Sequence, residues 1–298
     1  MKKIVLLITL SFLISLGYSQ SLLWKVSGKD LKSPSYVYGT IHIQDNRVFS
    51  FDSTIVIGAL ESCEAFAMEI LMDEIDPKEL QKSMYMPKGK TLNNMMSKED
   101  YDLLDKVCKK KLHASVMFMN TLKPFFLSSA ISQADIPQDQ TEALDLYFLK
   151  KARNSGKHCY GVEKYEVQVN AIDAISLKDQ VNMLVEQLHQ LGVEDTVSDD
   201  GNDFQNLLHA YMSFDLEEMI ALSNDESMPA KFNKVFLIDR NKGMAKNFAL
   251  IAREHSLFCA VGAAHLGGPK GVLNLLRKMG YTVEPVLFQW GSDIPPAN

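Results

Sequence analysis

Two segments of this chain have the same form. Gly39-Thr40-Ile41-His42 lies near its start and Gly262-Ala263-Ala264-His265 near its end, each a histidine three residues after a glycine. Both follow apolar, strand-like runs, Tyr36-Val37-Tyr38 and Leu257-Phe258-Cys259-Ala260-Val261, so each histidine is expected where a strand ends. For the two to act together, the fold must bring strand ends from the two extremes of the chain side by side. A pair of imidazoles delivered in that way suits a divalent metal site or an acid–base pair.

The rest of the pattern agrees with such a sheet. Residues 21–27 alternate as a strand, and Lys32-Ser33-Pro34-Ser35 turns the chain into the strand that leads to His42, which predicts a β-hairpin. A helix over 53–60 and a strand over 63–70 follow, giving the strand–helix–strand unit of a parallel α/β sheet. From 76 to 136 the pattern is helical and rich in methionine (Met84, Met86, Met95, Met96, Met117, Met119), broken by Pro87 and Pro124. That stretch reads either as a helical insertion with a soft core or as a pliable lid over a site for apolar ligands.

Next come a helix over 141–154 closed by Gly156 and a short strand over 157–162. A second helical block covers 164–231, with helices over 164–174, 177–191 and 203–222 and a polar loop over 194–202. The last third returns to α/β order: helix 232–254, strand 257–261, the turn bearing His265, helix 271–279 and strand 282–287. The expected fold is therefore α/β. A central mixed sheet is built from both chain ends, with helices on its faces and a largely helical middle, as one domain over 21–298.

Residues 1–20 have the basic, apolar and small-residue regions of a secretory signal peptide, with cleavage expected near Ser19 or Gln20. The apolar run Ile4–Leu16 is short for a span, which needs about 20 residues. An exported chain with no stable membrane anchor after cleavage is the expectation. Losing Lys2 and Lys3 removes two positive charges and takes the formal charge from −6 to −8, which argues against nucleic acid as a partner. Export permits disulfides, and Cys63, Cys108, Cys159 and Cys259 leave one disulfide or buried free thiols open; no CxxC spacing suggests a metal.

Candidate site residues follow from the strand ends. Glu69 and Glu163 both follow apolar strand runs, and a carboxylate there is costly to bury unless it binds a cation or is hydrogen-bonded. Arg240 and Asn241 lie where a helix turns from apolar to polar. In a site, Arg240 would orient a carboxylate or hold a developing oxyanion and Asn241 would position a water; otherwise they form a solvated face. Tyr147 is a donor in such a site or, more simply, a core residue. His113, His158, His189, His209 and His255 have no paired setting and read as structural or exposed. No GxSxG elbow, HExxH helix or phosphate-binding glycine loop is present, which removes the common serine hydrolase, zincin and P-loop readings.

In order along the chain stand Leu23-Trp24-Lys25-Val26-Ser27, Tyr38-Gly39-Thr40-Ile41-His42, Met68-Glu69 and Gly161-Val162-Glu163-Lys164-Tyr165-Glu166-Val167-Gln168. Asp239-Arg240-Asn241, Val261-Gly262-Ala263-Ala264-His265-Leu266 and Gly280-Tyr281 complete the series. This ordered set resembles the TraB/GumN family, to which the Tiki-type metalloproteases are related. The resemblance implies an α/β fold shared with erythromycin esterase-like and ChaN-like proteins. It also implies a divalent metal, manganese or cobalt ahead of zinc, held by His42, Glu69 and His265, with Glu163, Arg240 and Asn241 in supporting catalytic roles. Peptide or protein substrates follow from the Tiki branch. A metal-independent esterase-like hydrolase with His42 as general base, and a ChaN-like protein that binds haem or another ligand without turnover, are the alternatives.

Overall fold

The computed structural model describes residues 21–193, 202–222 and 231–291, so the expected signal peptide and most of the polar loop over 194–202 lie outside the described residues. Six strands form one mixed sheet: β1 (Leu23–Ser27), β2 (Ser35–Thr40), β3 (Ala65–Met68), β4 (His158–Gly161), β5 (Leu257–Gly262) and β6 (Thr282–Val286), in the order β4-β3-β5-β2-β1-β6. The predicted hairpin is present, with β1 antiparallel to β2 and Leu23 opposite Tyr38. β5 inserts between β2 and β3 and runs parallel to both. β4 continues the parallel set beyond β3. β2, β3, β4 and β5 therefore end on one edge of the sheet, and that edge carries the site.

β3 and β5 consist of Ala, Phe, Met, Leu, Cys, Val and Gly and are buried at every residue except Gly262. Such unbroken apolar runs mark strands covered on both faces, and helices surround the sheet accordingly. The helix Leu144–Asn154 buries Leu144, Phe148, Leu149 and Ala152. Phe148 lies 5.0 Å from the Tyr38 ring and 5.4 Å from that of Phe258. Each fully buried ring of this kind contributes about 1.5–3 kcal/mol relative to exposure. Gly156, at φ +70°, closes that helix as its sequence position suggests.

The long helix expected over 232–254 has the right extent but a different interior: Lys234–Ile238 forms a π-helical turn before the α-helix Asp239–Glu254. Its buried residues, Arg240, Asn241, Met244, Ala245, Phe248, Ala249 and Ala252, form one stripe. The helix expected over 203–222 is two, Asn202–Met212 and Leu216–Leu222, parted at Phe214 with φ +59°.

The helical middle has a core of its own, with Leu104 and Cys108 from one helix, Leu127 and Ile131 from a second, and Leu184 and Leu188 from a third. Met86 is buried in it, and Met95, Met96 and Met119 pack against it, which favours the soft-core reading of the methionines; Met117 is exposed. All four cysteines are free, so the disulfide left open by the sequence is not formed. Burial pushes the Cys63 thiol up to about 12 and the Cys108 thiol up to about 11. Titration with a thiol reagent should accordingly find four groups in denaturant and sluggish reaction in the native protein; a count of two would mean a disulfide.

Candidate active site

The site is built by strand ends in register. Beyond β3 and β4 the ladder continues for two residues, with Val162 N–H donating to Met68 O at 2.8 Å and Glu163 N–H to Glu69 O at 2.9 Å. Glu69 and Glu163 are thereby held side by side. On the other side of β3, the Gly262 N–H at the end of β5 donates to Glu69 Oε1 at 2.8 Å. The two GxxH turns pack on each other: a Cβ at Gly39 would stand 2.7 Å from Leu266 Cδ1 and 3.1 Å from Ala263 Cβ. Only glycine allows that approach.

Arg240 links the carboxylates. Its Nε donates to Glu163 Oε1 at 3.0 Å and Oε2 at 2.9 Å, its Nη2 to Glu69 Oε2 at 2.6 Å, and its Nη1 to Phe236 O at 3.2 Å. Arg240 and Glu163 are each 8% exposed, so this is an ion network with little water. Burial alone would raise the Glu69 carboxyl; facing His265, Arg240 and the Gly262 N–H outweigh it and hold it below the ordinary range. Arg240 thus orients both carboxylates through Nε and Nη2 and is itself held to the Phe236 carbonyl through Nη1.

His265 is 5% exposed in the short helical turn after β5. Its Nδ1 lies 2.6 Å from Asn241 Oδ1, while Asn241 Nδ2 donates to Lys270 O at 3.0 Å. The amide can satisfy that carbonyl only with its nitrogen, so its oxygen must face the ring and Nδ1 must carry the proton. The lone pair of Nε2 then faces Glu69 Oε1 at 3.8 Å. Burial pushes the imidazole down to about 4, with Arg240 adding to the effect and Glu69 opposing it, so the ring is neutral at pH 7. At that pH Glu69 therefore owes its ionised state to Arg240 and Gly262. Two acceptors, an imidazole lone pair and a carboxylate, thus face one another across a gap.

His42 reaches the same edge in a different state. Its side chain is 67% exposed, and its Nδ1 lies 2.9 and 3.0 Å from the two oxygens of Asp145. The hydrogen bond to Asp145 raises its pKa against the effect of burial, with Glu69 also contributing. The ring is expected to place its proton on Nδ1 and leave Nε2 open.

Both histidines thus have one nitrogen fixed by an acceptor and the other free, the usual setting of a metal-ligating imidazole. Imidazole and carboxylate are donor types that several first-row divalent cations accept, and they do not select among such metals. His42 is not drawn into one cluster with Glu69 and His265: among the described residues no group of three or more His, Cys, Asp or Glu side chains has the geometry to hold an ion.

Of the expected site residues, Glu69, Glu163 and Arg240 form one bonded network, His265 and Asn241 form a bonded pair that faces Glu69 across the gap, and His42 stands beside them. Tyr147 is in the aromatic core, 5.5 Å edge-on from Phe49, with Lys151 over its ring. His189 pairs with Asp100 at 2.8 Å, and His158 stacks on His255 where β4 and β5 begin, at the opposite edge of the sheet from the site. Sequence reasoning missed two partners. Asp145 sits in the first turn of a helix, where an acidic residue is ordinary, so it carries no signal of its own. Gln168, whose Nε2 donates to Glu69 Oε2 at 3.2 Å, stands in the block 161–168 without a visible role.

The TraB/PrgY/gumN family model matches residues 22–285. Among curated proteins, the chain is 23% identical to Metalloprotease TIKI2 of Danio rerio, covering 91% of this chain and 63% of that one. It is 24% identical to the Metalloprotease TIKI homolog of Amphimedon queenslandica, with 88% and 61% covered. Metalloprotease TIKI1 of Danio rerio is 25% identical, with 89% and 63% covered. The chain spans about three fifths of the length of these curated relatives. No solved structure matches significantly.

Proposed function

The chain belongs to the TraB/PrgY/gumN family, and from that premise we propose that it is a divalent-metal-dependent hydrolase of peptides. The observation that carries this reading is the facing pair of His265 Nε2 and Glu69 Oε1, two acceptors 3.8 Å apart whose proton-free states are set by Asn241 and by Arg240. Such a gap calls for a cation. His265, Glu69 and the neighbouring His42 would hold it, and manganese, cobalt or zinc would each suit the donors. When bound, the cation supplies Lewis-acid chemistry, acidifying water and polarising a carbonyl.

The protein groups do the remainder. Asn241 and Asp145 keep each imidazole in the tautomer with Nε2 open. Arg240 and Gly262 keep Glu69 ionised and oriented. Glu163 is the carboxylate left to move a proton, at Oε1, which shares only the Nε–H of Arg240, whereas Oε2 also lies 2.8 Å from Nη2. Proton transfer at Oε1 is coupled to slackening of the Nε bond that it accepts. The amino-terminal pattern of residues 1–20 supports an exported setting, and no helix among the described residues is long and apolar enough to cross a membrane.

One observation favours a second reading. The exposed His42, paired with Asp145, has the arrangement of a general base oriented by a carboxylate, which would serve hydrolysis without a metal. Metal analysis of the purified protein beside His42→Ala, His265→Ala and Asp145→Asn separates the two. About one equivalent of metal, lost in both histidine variants together with peptide cleavage, is expected. Metal-free protein that cleaves esters, resists chelators and loses activity in Asp145→Asn would overturn the metal reading in favour of the second.

A further inference from the structure

Beside the active edge is a cavity of about 310 Å³ with His42 in its wall. Its lining is mixed, with Ile43 buried and Ile136 and Leu146 half-buried among the apolar residues, and Gln44, Gln138 and Thr141 among the polar ones. We propose that this cavity is the substrate subsite next to the cut bond, taking one uncharged, medium-sized apolar side chain while the Gln44 and Gln138 carboxamides pair with the peptide main chain. The proposal rests on the hydrolase reading above and deepens it.

Three features support that occupant. First, the walls are tied together before any ligand arrives: Gln140 N–H donates to Gln44 O at 2.9 Å, Leu144 N–H to Ile43 O at 3.2 Å, and Gln44 and Gln138 are bridge partners. Asp145 and Leu146 are adjacent on one helix, so the element that orients His42 also shapes the cavity. Second, the volume stands at the small end of the range of roughly 300–1,000 Å³ seen for ligand pockets. It admits a residue or two of extended chain and excludes a folded domain.

Third, the lining selects against charge. Its two ionisable side chains are already paired, Glu142 with Lys150 at 3.1 Å and His42 with Asp145 at 2.9 Å. A charged substrate residue would find no unpaired counter-ion there, at the cost of its hydration, whereas an apolar one packs on Ile43, Ile136 and Leu146. By contrast the Gln44 and Gln138 side chains make no hydrogen bond among the described residues. A carboxamide offers one acceptor and two donors, the complement of a peptide unit.

Two readouts on the intact chain test this. In the first, a pool of peptides is incubated with wild type and Ile136→Trp in the presence of manganese, and cleavage sites are read by mass spectrometry. Wild type should favour Leu, Met or Ile on one fixed side of the bond; Ile136→Trp should shift that preference at least tenfold toward Gly and Ala. In the second, a peptide pool carrying a diazirine analogue of leucine is photocrosslinked, which requires no turnover. Adducts should map to residues 133–146 and disappear in Ile136→Trp. Cleavage with unchanged preference and adducts elsewhere would overturn the subsite and leave the hydrolase reading standing. Adducts at 133–146 without cleavage would overturn the hydrolase reading and reduce the subsite to a peptide-binding cavity, and the absence of both would remove both.

Discussion

Replacing Arg240 with methionine should lower stability by about 3–5 kcal/mol, the scale for removing one partner of a buried ion network. The reason is the company it keeps. Glu69 and Glu163 are fixed side by side by the continued β3–β4 ladder, Glu163 is 8% exposed, and Arg240 bonds to both. Without it two like charges remain in a nearly dry pocket, with the Gln168 amide and the Gly262 N–H as the bonds left on Glu69. At roughly 2–4 °C per kcal/mol for a domain of this size, the melting point should fall by roughly 6–20 °C. Adding Glu163→Gln should recover part of the loss, because it removes one of the two stranded charges. Arg240→Lys should fall between, since it keeps the charge and loses the fork that serves both carboxylates. Calorimetry on the three variants checks the series; a loss below about 1 kcal/mol in Arg240→Met would mean that the network does not hold the edge together.

His265→Ala should abolish metal binding and reduce kcat/KM by roughly a thousandfold or more, about 4 kcal/mol of transition-state stabilisation. The informative companion is Asn241→Leu. Asn241 touches no reacting group in the proposed mechanism; it fixes the His265 tautomer through Oδ1 and is itself fixed by Lys270 O. Partners of this kind typically cost 10–100-fold in metal affinity or activity when removed. A deep loss in His265→Ala with a graded one in Asn241→Leu is the expected pattern, read by metal titration and by peptide kinetics on folded protein. If Asn241→Leu keeps wild-type affinity, the tautomer is set by something else and the facing-acceptor argument fails.

How far the sequence carried this depends on the range of each interaction. The strand ends at His42, Glu69, Glu163 and His265 were legible because apolar runs, glycines and the following polar residue are local signals. Arg240 and Asn241 were legible only as candidates. The stripe 240, 241, 244, 245, 248, 249, 252, visible in the spacing once the helix is known to be buried, is what turns them from a solvated face into the floor of a site. The π-helical turn over 234–238 just before them was read as ordinary helix, because one extra residue in a turn leaves almost no trace in periodicity. Asp145 was not legible at all: its partner His42 lies 103 positions away.

The sequence by itself determined the α/β class, the two chain ends as the source of the sheet, and the residues delivered at the ends of four strands. Periodicity and turn chemistry act over a few residues, and those properties need nothing more. Only the tertiary structure decided that β5 lies between β2 and β3, which brings Gly262 and His265 against Glu69. The same long-range packing decided that His265 is buried and neutral while its counterpart His42 is exposed and paired with Asp145. Two motifs of the same form thus acquire different chemistry, because burial and hydrogen-bond partners set the state of an imidazole and both are supplied from distant parts of the chain.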